Sequence, residues 1–150
     1  MLPNQNNDLL YLLNILEHIG KIWKYTETAH SAEELFELNN QMNLNASLAL
    51  LAIIRENVSK LSEDLRTEYS NIEWQQIKNF RNRIVHNYVG IDLAIVYEII
   101  TNDLKKIRAE IERIIYAKIE SKIFIIQELQ VAEDSNYYKY IRFEKLRKRK

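Results

Sequence analysis

The chain has 150 residues, 47% of them apolar and 28% charged, with two glycines, one proline and no cysteine. That length suits one domain around one core; Gly and Pro are too few for the tight turns of a sandwich or barrel, and disulfides, thiolate zinc sites and thiol nucleophiles are excluded. The zero net charge hides an acidic body and a basic tail: from Asn136 onward there are seven Lys/Arg against one Glu, and before it 14 basic against 20 acidic groups, so bulk basicity does not argue for a nucleic-acid partner.

No apolar run approaches the roughly 20 residues that span a bilayer. The start, Met1 to Leu10, has neither the basic segment nor the hydrophobic stretch of a signal peptide, so the cytoplasm is the expected location. Ala, Leu, Ile, Glu, Lys, Asn and Arg dominate, which predicts a mainly helical protein. Asn7 or Asp8 caps a first helix to about Thr26, whose stripe is Leu9, Leu12, Leu13, Leu16, Ile19, Ile22 and Trp23. Ser31 and Glu34 form a capping box that opens a short helix through Leu38. A long helix is predicted over about Asn40 to Tyr69, with Leu44, Leu48, Leu51, Ile54, Val58, Leu61 and Leu65 on one face; Leu50, Ala52 and Ile53 widen that face and suggest burial on more than one side.

Ser70-Asn71 reads as a cap, followed by a helix from about Glu73 that carries Trp74, Ile77, Phe80, Ile84 and Tyr88 and breaks at Val89-Gly90. Asp92 caps the next helix, with Leu93, Val96, Ile99, Ile100, Leu104, Ile107, Ile111, Ile114 and Ile115 on its apolar side. Short connections between long helices predict antiparallel neighbours, hence an all-α, up-and-down bundle over residues 1–120. Residues 121–150 form an extension ending in a basic tail. There the spacing of Ile119, Ile123, Ile126 and Leu129 continues the helix, while the alternation of Ile123, Ile125, Leu129 and Val131, with the strand-like run Tyr137 to Phe143, fits a β-hairpin equally well.

Most motif classes are absent. Gly20 and Gly90 cannot build a phosphate loop, and no two of His18, His30 and His86 have the spacing of a helical zinc site, so no cofactor is expected. One segment stands apart, Phe80 to Asp92. At about 100° per residue, Asn82 and His86 share a helix face, Arg81 and Tyr88 nearly eclipse each other, and His86 points away from Ile77 and the core. A plain reading makes His86 an exposed imidazole at a helix C-terminus, Arg81 and Arg83 partners of surface carboxylates, and Tyr88 half-buried core.

The segment resembles the Arg-(four residues)-His-X-Tyr motif of the HEPN superfamily in its HepT-like toxin branch. Similarity extends to Ile54–Arg66, Ile72–Ile77, Asp92–Tyr97 and Thr101–Leu104, and spans roughly Asp8 to Ile115. The resemblance implies a metal-independent endoribonuclease of a type VII-like toxin–antitoxin pair. It implies a homodimer in which the motif helices of two subunits meet. Its antitoxin is an MntA-like nucleotidyltransferase that silences the toxin by AMPylation of the motif tyrosine. Arg81, His86 and Tyr88 match the motif, with Asn82 at the polar position after the arginine. Residues beyond about Ser121 have no counterpart in the branch.

On this reading His86 is the general base or acid, since an imidazole titrates near neutrality. Arg81 clamps the phosphate, Asn82 supports His86 or the substrate, and Tyr88 lines the site and receives AMP. Arg81 and His86, five residues apart, lie about 140° apart around a helix; either the helix loosens before Val89-Gly90 or a second subunit completes the site, and the second is favoured. In the tail, Tyr137, Tyr138, Tyr140 and Phe143 interleave with Lys139, Arg142, Lys145, Arg147, Lys148, Arg149 and Lys150. With Arg83 these cations are candidate RNA contacts; the alternatives are a solubilising tail or a basic arm docked on the acidic body or on the antitoxin. A competing reading for the whole chain is a non-catalytic helical partner that presents substrate to a minimal nucleotidyltransferase, and a third is a simple interaction bundle.

Overall fold

The computed structural model describes residues 3–85 and 90–148. Its order is α1 (Pro3–Thr26), α2 (Ala32–Glu37), α3 (Met42–Lys60), α4 (Glu63–Glu68), α5 (Trp74–Lys78), α6 (Phe80–Ile84), α7 (Leu93–Glu98), α8 (Leu104–Glu120) and α9 (Ile126–Asp134). A π-helical segment, Ile99–Asp103, joins α7 to α8. The fold is all-α, and among the described residues the one β pairing is an isolated antiparallel bridge between Val85 and Ile91. No helix among them is long and apolar enough to cross a membrane.

Helix α1 is the centre of the core. Leu12, Ile15, Ile19 and Ile22 are fully enclosed, packed with Leu51, Ile54 and Val58 of α3 and Leu104, Ile111, Ile114 and Ile115 of α8. Each such side chain contributes about 1.5–3 kcal/mol through apolar burial. The stripes expected for these helices are the buried ones. The caps at Ser31 and Asp92 form as well: Ser31 Oγ accepts from Glu34 N–H and Asp92 Oδ1 from Ile95 N–H.

The long helix expected from Asn40 to Tyr69 is corrected at both ends. Asn39, Asn40 and Gln41 are left-handed (φ 49°, 54° and 71°), so α3 starts only at Met42. It ends at Lys60, where Leu61 turns extended and Ser62 caps α4 by accepting from Leu65 N–H at 3.2 Å. The carboxylate of Asp8 fixes that break, taking Ser62 N–H at 2.8 Å and Ser62 Oγ–H at 2.5 Å. The helix expected to begin after the Ser70-Asn71 cap begins at Trp74, with Glu73 at its N-cap and no side-chain cap. Ala52 and Ile53 are exposed, so α3 is not buried on the widened face.

The C-terminal extension forms neither a hairpin nor a continuation of α8. Helix α8 stops at Glu120, Lys122 turns left-handed (φ 63°), and α9 follows as a separate helix. Leu129, Phe143 and Leu146 are buried in the same core as the bundle, so residues 121–148 pack onto the body. The run from Tyr137 to Arg142 crosses α1 without pairing to a strand. Its hydrogen bonds go to Glu17, a fully buried carboxylate whose Oε1 accepts Lys139 N–H (2.9 Å) and Tyr140 N–H (2.8 Å). Tyr138 donates to Asn14 Oδ1 at 2.8 Å, and burial, then the neighbouring Tyr137 and Glu17, pushes its phenol up to about 12, which keeps it a neutral donor.

This strap sits on Gly20 of α1. A Cβ there would stand 2.3 Å from Tyr140 Cβ and 3.0 Å from Tyr140 O. Helix propensity alone favours Ala over Gly by about 1 kcal/mol, whereas forcing atoms into a packed site costs about 1–3 kcal/mol. Gly20→Ala is therefore expected to lower the melting temperature and to speed protease cleavage between Tyr137 and Arg142. A raised melting temperature would show that the strap does not rest on this face.

Candidate functional site

The segment singled out in the sequence begins on α5 and α6. These are one helix interrupted at Asn79, whose backbone (φ −94°, ψ 9°) leaves helical geometry and whose N–H reaches both Gln75 O and Gln76 O. Phe80 and Ile84 anchor α6 in the core. The expectation of a helix through Tyr88 is corrected: α6 ends at Ile84, Val85 is extended, and Val85 N–H closes the last turn on Arg81 O at 2.9 Å. Asp92 N–H then donates to Ile84 O at 2.7 Å, so the chain that leaves at Val85 is drawn back at Ile91. Gly90, at φ 111°, takes the backbone conformation this return needs and that a side chain disfavours.

His86 and Tyr88 fall outside the described residues, as do Arg149 and Lys150. The shared face of Asn82 and His86, and the 140° separation that favoured a second subunit, therefore fall outside the described residues, beyond the end of α6 at Ile84. Of the motif residues that are described, Arg81 and Asn82 are both exposed. Arg81 forms no ion pair with any described residue. Arg83 differs, since its guanidinium is 2.6 Å from Asp103 Oδ2 and lies over the Phe80 ring at 5.9 Å.

Asp103 reaches Arg83 because it closes the π-helical segment. That segment is fastened to α1 by Trp23, whose indole N–H donates to Ile100 O at 2.8 Å, while the Arg108 guanidinium lies 4.4 Å from the Trp23 ring. In the sequence Trp23 reads only as part of the α1 stripe and Asp103 only as part of the Thr101–Leu104 resemblance, neither as a support of the site. A π bulge leaves no mark in apolar spacing beyond one residue of slippage.

Arg81 opens onto a cavity of about 280 Å³ between α3 and α6, floored by Leu48, Leu51, Phe80 and Ile84. Val85 and Ile91, which bracket the motif loop, also line it, and its only charged described lining residues are Arg81 and Arg55 of α3. Val85 and Ile91 are 44% and 45% exposed, and with Ile53 they leave apolar surface beside the motif. Among the described residues no cluster of His, Asp and Glu is arranged to hold a metal ion.

The tail cations divide into two sets. Arg142 is bidentate on the buried Glu112 carboxylate (2.9 and 2.6 Å), and this pairing raises its pKa. Arg147 spans Gln130 (2.7 Å) and Glu133 (2.9 Å). Lys139, Lys145 and Lys148 are exposed and without an ion pair to a described residue. Of the aromatics meant to interleave with them, Phe143 is buried and Tyr138 half-buried, leaving Tyr137 and Tyr140 at the surface.

The described features are those of a helical bundle that presents an exposed arginine on α6, without an ion pair to a described residue, beside the Val85–Ile91 bridge and an apolar cavity. The chain belongs to the HepT-like ribonuclease family, whose model matches residues 15–114, a span that encloses the whole motif. Similar proteins include two from Methanocaldococcus jannaschii that are provisionally named RNases. One is 30% identical over 102 residues, covering 68% of this chain and 91% of its own, and the other 30% identical over 105 residues, covering 70% and 84%. A Thermococcus cleftensis protein, provisionally named ribonuclease HepT, is 23% identical over 104 residues, covering 69% of this chain and 92% of its own. No solved structure matches the chain significantly.

Proposed function

We propose that this chain is an endoribonuclease toxin that cuts RNA without a metal, works as a homodimer, and is neutralised by an MntA-like nucleotidyltransferase through AMPylation of Tyr88. The observation that carries the reading is the family match over residues 15–114, in a chain that retains Arg81, His86 and Tyr88 at the motif spacing.

Cleavage proceeds by attack of a ribose 2′-hydroxyl on the adjacent phosphorus. The 2′-oxygen gives its proton to His86, the P–O5′ bond breaks, and the leaving 5′-oxygen takes up a proton, giving a cyclic phosphate and a 5′-hydroxyl. Positioned acid–base groups supply about 10²–10⁴-fold in rate. Arg81, always charged and able to hold two phosphate oxygens, stabilises the charge that builds on the phosphorane. Its freedom from any described carboxylate supports this role, because a guanidinium already held by one would bind phosphate less well. Arg83, held by Asp103, fits better as an anchor of α6 than as an RNA contact. In the tail, Lys139, Lys145 and Lys148 remain the candidates for RNA.

The homodimer reading rests on the resemblance and on the apolar surface of Ile53, Val85 and Ile91 beside the motif. The tyrosine switch has a simple electrostatic logic. An antitoxin that transfers AMP from ATP to Tyr88, releasing pyrophosphate, adds a phosphodiester with about one negative charge near Arg81; it would occupy the guanidinium and repel an RNA backbone.

In chelator, the wild-type protein is expected to cut RNA and His86→Ala and Arg81→Ala to lose at least about 10²-fold in rate. Equal cleavage by His86→Gln would remove His86 as the acid–base group; absence of cleavage by wild type, with partner binding kept in His86→Gln, would instead favour the non-catalytic partner reading. Tyr88→Phe is expected to stay toxic in cells that co-express the antitoxin, as read by growth; normal neutralisation of that variant would remove the tyrosine switch.

A further inference from the structure

We infer that Arg55 on α3 is a second phosphate-binding residue of the site, and that the cavity it shares with Arg81 receives an unpaired nucleobase of single-stranded RNA. The inference rests on the ribonuclease reading and names how the substrate is held.

The cavity has an unusual composition for a surface site. Its floor is aliphatic and aromatic, Leu48, Leu51, Phe80 and Ile84, and its charged described lining is two guanidiniums with no carboxylate. At about 280 Å³ it falls at the lower edge of small-molecule sites, which run from about 300 Å³ upward. That suits one flat, apolar-faced group carrying negative charge at its margin, which is the make-up of a nucleotide. Two guanidiniums on the lining of one cavity make it attractive to an anion, and neither has an ion pair to a described residue. Arg55 is half-buried, and its planar fork can hold two phosphate oxygens at once.

The basic track continues past the cavity. Arg55 also lines a neighbouring shallow groove with Lys78 of α5, likewise without an ion pair to a described residue. The one carboxylate there, Glu56, lies 3.9 Å from Lys60. Lys78, Arg55 and Arg81 thus follow one seam between α3 and the α5–α6 pair. This arrangement suits successive phosphates of a strand whose base turns inward between them. Base-paired RNA cannot turn a base into a pocket without breaking a pair, so the site selects single strands. The cavity is also walled by Val85 and Ile91, the described residues that bridge across positions 86–89.

The test compares full-length wild type, Arg55→Ala, Arg55→Lys and Arg81→Ala. It measures anisotropy of a labelled oligouridylate across a salt series, cleavage of the same RNA in chelator, and sedimentation velocity. Arg55→Ala is expected to weaken binding about tenfold and to reduce the salt slope by about 0.7. It should raise KM while largely sparing kcat, and its sedimentation should be unchanged; Arg55→Lys should keep the slope and recover part of the affinity. Arg81→Ala should chiefly lose kcat. Unchanged affinity and slope in Arg55→Ala, or an altered sedimentation coefficient with RNA binding intact, overturns the inference, the latter by assigning Arg55 to contact between copies. If wild type binds RNA through Arg55 but cuts none, the nuclease reading fails and the binding site stands. If it cuts and Arg55→Ala cuts equally well at every RNA concentration, only this inference fails. If it neither binds nor cuts, both fail.

Discussion

The hydrogen bond from Asp92 N–H to Ile84 O is the point on which the site's arrangement turns. It ties Ile84, the last residue of α6, to Asp92, so that the described chain on either side of residues 86–89 is held at neighbouring points. The same Asp92 caps α7 with its side chain, so one residue closes the loop and starts the next helix. Either bond is worth about 1 kcal/mol. The clamp is effective because Phe80 and Ile84 are buried on one side, and Asp103, through Arg83, holds α6 from another. Arg81, with Asn82, is left exposed on an element anchored by Phe80, Ile84 and Arg83.

The tail explains the uneven charge of the chain. Its described arginines meet carboxylates: Arg142 on Glu112 of α8 and Arg147 on Glu133 of α9. Glu112 is nearly buried, so an unpaired charge there would be costly, and the bidentate guanidinium offsets that cost. Glu17 is satisfied differently, by two backbone N–H groups of the strap, with its Oε2 lacking a partner among the described residues. Aromatics and cations spaced like a nucleic-acid tract are here used largely for packing: Phe143 and Leu146 fill the core and Tyr138 caps Asn14. The docked-arm reading of this segment describes Arg142 and Arg147; the three exposed lysines remain available to a polyanion.

Much of the bundle was legible because helical burial repeats every three to four residues. Leu9 to Ile22 and Leu104 to Ile119 could be read off directly, as could the caps at Ser31 and Asp92, which act over three residues. The breaks were harder, since several are set by partners distant in sequence. Ser62 starts a helix because Asp8, 54 positions earlier, holds its N–H and hydroxyl; the local signal, a serine followed by Glu63 and Asp64, was present but outweighed by the continuous stripe. The end at Ile84 depends on a bond returned from Asp92. Glu17 carries no local sign of burial in the sequence; the strap over it accounts for its enclosure. In the site, Arg81 was legible from motif spacing, whereas Arg55 was not: it lies on another helix and reaches the cavity only through the α3–α6 packing.

The account joins a family relationship to a specific chemistry, in which a guanidinium steadies a phosphate while an imidazole takes the proton of the neighbouring ribose hydroxyl. In the proposed mechanism the nucleophile belongs to the substrate, rather than being water or a metal-bound hydroxide. The most direct test offers the wild-type protein, in chelator, a single-stranded RNA and the same sequence 2′-O-methylated throughout, with product ends identified by mass spectrometry. The account predicts that the RNA is cut to cyclic phosphate and 5′-hydroxyl ends and that the methylated strand survives. Cleavage of the methylated strand, or 5′-phosphate ends from the RNA, would contradict it.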